Sequence, residues 1–157
     1  MSVSKMSRSS ILYPAKSNEM SGPGANRINV QALVVAGGGS PSTNGSYTGG
    51  SGGAGGLIDQ LLILELGTSY TVTIGAGGAG VPTNYTIGNP GSPSVFGPLT
   101  ANGGGYGGTG GNPGSIGGPG ASGGGSGNGQ SGTRGPDGTG QGFNGGRSSG
   151  SYTGGGG

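Results

Sequence analysis

The side chains that most often carry out chemistry in proteins are scarce in this chain. It contains no cysteine and no histidine, and its four acidic residues are Glu19, Asp59, Glu65 and Asp137. Thiolate nucleophiles, histidine bases and histidine metal sites are therefore excluded. Paired-carboxylate hydrolysis needs two carboxyl groups that converge in a cleft, and the surrounding sequence has little side-chain mass with which to build one. We interpret the chain as a non-enzymatic protein.

One short segment has the spacing of a dinucleotide-binding loop. Residues 75–80 (GAGGAG) match the pattern G-x-G-x-x-G and follow a predicted strand. Such a site also needs a helix that begins at the loop and an acidic residue about 20 positions further on. Residues 81–84 (VPTN) do not begin a helix, and no acid occurs between Glu65 and Asp137. Because a chain with 48 glycines produces chance matches, we predict no cofactor and no metal.

Charge and hydropathy exclude two further classes of protein. The net charge is +2, from six basic and four acidic residues. This balance is too weak, and the basic residues are too scattered, for a nucleic-acid-binding protein. No apolar run approaches the roughly 18 residues of a membrane-spanning helix. The first residues also lack the apolar stretch of about 7–15 residues that a secretory signal requires.

Most of the aliphatic residues lie between positions 28 and 100. Residues 28–36 have the composition of a strand, and residues 57–66 form a second apolar run, which we interpret as a strand. A Gly67-Thr68 turn connects that run to residues 69–74, so the pattern predicts a hairpin. Alternation in 69–74 predicts a half-buried strand, with one face formed by Tyr70, Val72 and Ile74. A further short strand is predicted around Val95, Phe96 and Leu99.

The C-terminal part has a period of three. From Gly105 to Gly138 every third residue is glycine, and only Ser126 interrupts the series. A bare edge of this kind indicates that another backbone passes too close to leave room for a Cβ. Polyglycine II and the collagen triple helix both have three residues per turn, and collagen needs more proline than this tail provides. We favour polyglycine II and keep a collagen-like trimer and irregular clamped loops as alternatives.

These observations predict an all-β/irregular fold: short β-strands lead into a glycine-rich, polyglycine-II-like helical bundle, with an extended N-terminal arm. The predicted arm spans residues 1–27 and the glycine-rich domain spans 28–157. That domain divides into a β-rich part, 28–100, and a polyglycine-II-like part, 101–157. A chain so poor in apolar residues has a thin stability margin alone, so we expect it to be a subunit of an assembly.

Two groups of residues are candidates for recognition. The arm carries a small apolar patch, Ile11, Leu12 and Tyr13, which we predict docks on a partner. In the C-terminal part, aromatic rings could stack on sugars or grip a protein, and guanidinium groups could bind carboxylates or phosphates. The candidates for surface recognition are Tyr106, Arg134, Phe143, Arg147 and Tyr152.

The middle of the chain resembles the glycine-rich domain of tailed-bacteriophage virion proteins. The resemblance runs in order from about residue 33 to residue 111. It is carried by five segments: 33–39 (LVVAGGG), 52–56 (GGAGG), 67–80 (GTSYTVTIGAGGAG), 91–97 (GSPSVFG) and 100–105 (TANGGG). The Tyr/Thr/Val strand and the Ser-Val-Phe-Gly segment make it specific, since neither is low-complexity sequence.

The resemblance implies a structural role in a phage particle, as a small fibre, tip or surface-decoration protein. Its partners would be other virion structural proteins and further copies of itself, with a trimer favoured. It would be located in the virion, after assembly in the host cytoplasm. An alternative is a receptor-binding adhesin whose glycine-rich loops contact a host surface glycan or protein, and a third hypothesis is a silk-like matrix protein. The few aromatics favour a small accessory virion protein.

Overall fold

The structure, a computed structural model, describes residues 26–43, 45, 48–82, 85–111, 115–128, 141–149 and 152–157. Its strands are β1 (Arg27–Val35), β2 (Leu57–Glu65), β3 (Val72–Thr73), β4 (Ser94–Phe96) and β5 (Leu99–Ala101). β1 and β2 form one antiparallel sheet, and the other three strands form a second, in the order β3-β4-β5. The described ranges contain no helix, and so none that could cross a membrane.

β1 and β2 form because both are apolar runs that alternate between two faces. They pair in a continuous register from Arg27 opposite Glu65 to Val35 opposite Leu57. The inward face of this sheet packs on β4 and β5 of the second sheet. The buried residues of this core are Ala32, Val34, Ala36, Leu62, Leu64, Leu99 and Ala101. The predicted strands at 28–36 and 57–66, and a short strand around Val95, are confirmed.

The predicted hairpin between residues 57–66 and 69–74 is wrong. β2 pairs with β1, while β3 pairs with β4. β1 offers nine alternating residues to β2, whereas only two residues of the predicted partner are in a strand. The predicted half-buried face is also wrong in part, because Val72 and Ile74 are 66% and 88% exposed.

Beyond the strands, the same two chain segments stay paired through glycine-rich sequence. Amide groups of 36–43 donate to carbonyl groups of 48–56: Ala36 to Gly56 at 3.0 Å, Gly39 to Gly53 at 2.9 Å, and Ser42 to Gly50 at 3.2 Å. These bonds recur every three residues, whereas bonded pairs in an antiparallel ladder recur every two. The pairing therefore continues without being a β-ladder.

Backbone groups of the glycine-rich segments bond to several neighbouring segments at once. Gly37 donates to the Ser92 carbonyl at 3.1 Å and accepts from the Gly104 amide at 2.9 Å. Gly105 donates to the Ser122 carbonyl and accepts from the Gly53 amide, at 2.9 and 2.8 Å. The peptide groups of Gly37 and Gly105 thus find their partners in other backbone groups, without a side chain. The interior of this part of the protein consists largely of backbone.

The predicted polyglycine-II-like helical bundle is wrong, since the described residues contain only short antiparallel strands and segments without regular secondary structure. The period of three reflects close approach of neighbouring backbones and does not define a helix. A Cβ would meet neighbouring backbone at Gly105, Gly108 and Gly117, which belong to the series. It would do so equally at Gly104 and Gly107, which do not. Close packing without a regular helix explains both sets.

The segments run back and forth between two ends of the molecule. At one end, which we call the hairpin end, the Leu66 amide donates to the Asn26 carbonyl at 2.7 Å. At the other, the loop end, the Thr43 amide donates to the Thr86 carbonyl at 3.1 Å. The Asn128 amide there donates to the Thr48 carbonyl at 3.3 Å. The apolar strands therefore lie at the hairpin end, away from the loop end.

Candidate interaction surface

The outward side of the β1–β2 sheet carries a row of large apolar side chains. Because alternate residues of a strand point to opposite faces, the residues between the buried positions point away from the core. We call these residues the apolar face: Leu33, Val35, Leu57, Leu61 and Ile63, which are 64%, 52%, 54%, 58% and 66% exposed. Contiguous exposed apolar patches on soluble proteins mark interaction sites.

Two polar pairs accompany the apolar face. Arg27 and Glu65 form an ion pair at 3.5 Å near the hairpin end, with side chains 64% and 61% exposed. The Gln31 amide donates to the Asp59 carboxylate across the two strands. An exposed ion pair contributes only about 0–1 kcal/mol to stability. Both pairs place charged groups, those of Arg27, Asp59 and Glu65, beside the apolar face.

A groove of about 520 Å³ runs beside β1. One wall is formed by residues 30–35 of β1, and the other by residues 72–74 and 94–96. The groove ends at Gly37, where the amide of that residue donates to the Ser92 carbonyl at 3.1 Å. The groove therefore lies along the free side of a nine-residue strand.

Within the part of the chain that the structure describes, no strand pairs with the groove side of β1. β1 belongs to a two-stranded sheet, and β2 is its only strand partner among the described residues. Asn26 and Ala36 bond toward the β2 side, to Leu66 and Gly56. Since bonded positions alternate along an antiparallel strand, the even-numbered residues between them bond to β2. The amide and carbonyl groups of the odd-numbered residues of β1 point into the groove.

The outer edge of β2 differs from that of β1 because it already has partners at both ends. The Leu57 amide donates to the Gln141 carbonyl at 3.3 Å. The Glu65 amide donates to the Tyr70 hydroxyl at 2.8 Å. Among the described residues, the groove side of β1 therefore has the longer run of backbone groups with no strand partner.

The recognition residues predicted from the sequence lie in different places. Ile11, Leu12, Tyr13 and Arg134 lie outside the described residues. Tyr106 is partly buried, and its ring lies so close to Gly118 that a Cβ there would overlap it. This contact indicates that Tyr106 packs against the glycine segments. Its role in recognition stays a prediction.

Three of the predicted recognition residues belong to the last two described segments. Phe143 and Tyr152 are 78% and 76% exposed, and Arg147 is exposed as well. The two segments bond to each other through the Gly146 amide and the Gly155 carbonyl at 2.6 Å, and through Ser149 and Tyr152. The structure therefore places these three residues on paired segments, and their role in recognition stays a prediction.

Sequence reasoning did not identify the apolar face or the groove. The contiguous run from Leu61 to Leu64 conceals an alternation, in which Leu62 and Leu64 point inward and the other two outward. The signal that could have identified it is the pairing with β1. Once Leu62 is placed opposite Val30, the outward residues follow from the alternation of the strand.

Comparison with known proteins gives one match. A family model described as a glycine-rich domain matches residues 18–157. No curated protein and no solved structure matches the chain.

Proposed function

The chain belongs to the glycine-rich domain family, and we propose that it is a non-enzymatic structural subunit of a tailed-phage particle. In this proposal it is a small fibre, tip or surface-decoration protein. The observation that carries the proposal is the apolar face, formed by Leu33, Val35, Leu57, Leu61 and Ile63, all more than half exposed. The resemblance of residues 33–111 to the glycine-rich domain of phage virion proteins is the reason for proposing a phage particle.

The way in which the fold is held together is compatible with a structural role. The glycine-rich segments are held by many backbone hydrogen bonds between residues distant in sequence, such as Gly39 with Gly53 and Gly105 with Ser122. Backbone packing of this kind fixes the segments without a large side-chain core. The exposed aliphatic residues are concentrated on one sheet at the hairpin end. We propose that this sheet is where the subunit binds its neighbours.

The proposed partners are other virion structural proteins and further copies of this chain, with a trimer favoured. The N-terminal arm is proposed to contribute to docking, and the proposed location is the virion. Association is expected to stabilise the subunit, because a partner that binds only the native state shifts the folding equilibrium toward it. The expressed chain alone should therefore be less stable than the assembled one.

The test measures incorporation into particles. Leu61→Lys combined with Ile63→Lys places two charges on the apolar face, and incorporation should fall at least tenfold. Thr68→Lys is the control, since Thr68 is exposed in the turn after β2. Circular dichroism and thermal unfolding of both variants establish that they fold. Full incorporation of a folded double variant would contradict the proposal.

A second candidate function is host-surface binding through the loop end. The observation that favours it is Tyr85, which is 61% exposed and has a φ of 60°. A bulky residue in this conformation is strained, and Tyr85 directly precedes Thr86, which pairs with Thr43 at the loop end. Binding of the purified protein to host cells should fall with Tyr85→Ala if this function holds, and incorporation into particles should not change.

A further inference from the structure

We propose that the apolar face binds the apolar face of another copy of this chain, with the strands of the two copies running in the same direction. In this arrangement Arg27 of one copy lies opposite Glu65 of the next. The inference rests on the proposed function, because it names the neighbour that this surface of the subunit binds. The copies are related by rotation about an axis along the strands, and closed rotational symmetry is the usual form of homo-oligomers.

The outward side of the β1–β2 sheet has different chemistry at its two ends. Outward residues lie in cross-strand pairs, and the pair at the hairpin end is Arg27 with Glu65. The pair at the other end of the strands is Val35 with Leu57. Eight residue steps of about 3.3 Å separate the two pairs along β1. A charged end and an apolar end are therefore well apart on one surface.

Two alignments of a second copy on this surface are available. Sheets that pack face to face keep their strand directions within about 30° of each other, so the strands run either in opposite directions or in the same direction. In the opposite alignment, Arg27 and Glu65 of one copy would lie against Val35 and Leu57 of the other. Charged groups would then lose water to apolar side chains, which is costly. The distribution of charge therefore opposes this alignment.

In the alignment with strands in the same direction, each end meets its own counterpart. Rotation about an axis along the strands keeps every residue at its level and places β2 of one copy beside β1 of the next. Glu65 then meets Arg27, and Leu57 meets Val35, with either two or three copies around the axis. Complementary charges across an interface fix its register and exclude wrong alignments. The outward side of this sheet thus complements itself.

The ion pair within one chain leaves both of its members able to bind another copy. Arg27 and Glu65 are 3.5 Å apart, and their side chains are 64% and 61% exposed. A guanidinium group has five N–H donors, and a carboxylate accepts hydrogen bonds at two oxygens. Each group can therefore keep its partner in the chain while it binds the opposite charge of the next copy.

Asp59 is the one charged residue between the two ends of the outward side. It lies across from Leu33 in the sheet, and its carboxylate accepts a hydrogen bond from the Gln31 amide. The carboxylate thus has a donor within its own chain and does not depend on a cation from the partner. A second copy, which brings Leu33 to this level, satisfies the surface without a basic partner protein.

The first experiment measures self-association of the purified full chain by sedimentation equilibrium. Arg27→Glu gives a charged end with two acidic residues, and Glu65→Arg gives one with two basic residues. Each variant alone should associate at least tenfold more weakly than the unmodified chain, because like charges meet. An equimolar mixture of the two variants should associate at least tenfold more tightly than either variant alone, since acidic ends then meet basic ends.

The mixture separates contact between copies from the ion pair within one chain. Neither variant can form the pair within its own chain, so recovery arises only from contact between copies. Thermal unfolding of each variant establishes that it folds. A mixture no tighter than the single variants, or an unmodified chain that stays monomeric at every concentration, would overturn the inference. If that monomeric chain still requires Leu61 and Ile63 to enter particles, the proposed function stands and the neighbour on the apolar face is a different protein.

The second experiment tests the alignment by disulfide formation between copies, since the chain has no cysteine. Val35→Cys chains are mixed with Leu57→Cys chains, whose substituted positions meet only when the strands run in the same direction. Leu61→Cys replaces Leu57→Cys in the control, because Leu61 is similarly exposed, 58% against 54%, and meets Val35 in neither alignment. The first mixture should form its mixed disulfide at least tenfold faster than the control. Equal rates would overturn the proposed alignment.

Discussion

Gly117 lies directly against the carbonyl group of Gly124, and a Cβ at position 117 would overlap that carbonyl oxygen. The Gly124 backbone has little freedom to move away, because its amide donates to the Gly118 carbonyl at 2.9 Å. The contact joins two backbones with no side chain between them. It is one of many such contacts in the glycine-rich part.

The first prediction compares two substitutions to valine at neighbouring positions. Gly117→Val forces a branched side chain against the Gly124 carbonyl. It should lower the unfolding free energy by about 1–3 kcal/mol, the usual range for overpacking. Ile116→Val removes one methylene from a side chain that is 43% exposed, and should cost about 0.5–1.5 kcal/mol at most. Thermal unfolding of both variants provides the measurement. Equal unfolding temperatures would mean that the glycine at 117 is not required.

The second prediction concerns Ser126, the one residue that interrupts the glycine series. Its hydroxyl group is buried and has no hydrogen-bond partner among the described residues. A buried hydroxyl without a partner costs about 1–3 kcal/mol, so Ser126→Ala should leave stability unchanged or raise it. Denaturant unfolding of the variant tests this directly.

Ser122 is the matched control for that measurement. It is also buried, but its hydroxyl accepts the Phe143 amide at 3.1 Å. Ser122→Ala should lower the unfolding free energy by about 1–3 kcal/mol, since it leaves the Phe143 amide unpaired. If both alanine variants lose stability equally, the Ser126 hydroxyl has a partner and the prediction fails.

The strands themselves could be predicted from the sequence, but their pairing could not. Apolar runs at 28–36 and 57–66 identify β1 and β2 because strands bury alternate side chains. The Gly67-Thr68 turn favours a local hairpin, yet β2 pairs with β1 across more than twenty residues of glycine-rich chain. Local turn signals carry no information about a better partner elsewhere in the sequence.

For the glycine-rich part, the sequence predicts that neighbouring backbones approach closely, but it does not predict which segments are neighbours. The period of three correctly indicates that neighbouring backbones approach closely, as at Gly105 and Gly108. It does not specify which segments meet, because glycine has no side chain whose pattern could select a partner. For the same reason the sequence does not reveal that Gly37 bonds to both Ser92 and Gly104.

The third prediction concerns the turn that follows β2. Gly67 has a φ of +78°, and a Cβ there would meet no atom within 4 Å. Substitution should therefore be opposed only by backbone strain, which is about 1–2 kcal/mol for a left-handed residue with a side chain. Gly67→Ala should lower the unfolding free energy by that amount, and Gly67→Asn by less, because asparagine tolerates this conformation better.

Gly80 is the matched control for Gly67. A Cβ there also meets no atom within 4 Å, and its φ is outside the left-handed region. Gly80→Ala should be neutral or stabilise the protein by about 0.4–1 kcal/mol, because it restricts the unfolded chain. Chemical denaturation should show a loss of unfolding free energy for Gly67→Ala and no loss for Gly80→Ala. Equal changes would contradict the role of backbone conformation at Gly67.

The final prediction concerns Gln141, whose side chain bonds to the chain at the end of β5. Its Oε1 accepts the Asn102 amide at 2.7 Å, and its Nε2 donates to the Thr100 carbonyl at 3.0 Å. The side-chain amide thus pairs with two backbone groups as a neighbouring strand would. Its own carbonyl accepts the Leu57 amide at 3.3 Å, so this one residue connects both sheets.

Removing the Gln141 side chain should separate the side chain's contribution to stability from that of the Gln141 backbone. Gln141→Ala keeps the bond to Leu57 and loses two side-chain bonds, each of which contributes about 0.5–1.5 kcal/mol. The unfolding free energy should fall by roughly 1–3 kcal/mol, the sum of those two bonds. Gln141→Glu keeps an acceptor for Asn102 but places a carboxylate oxygen against the Thr100 carbonyl, so it should be no more stable than the alanine variant. A glutamate variant as stable as the unmodified protein would show that the Nε2 bond contributes nothing.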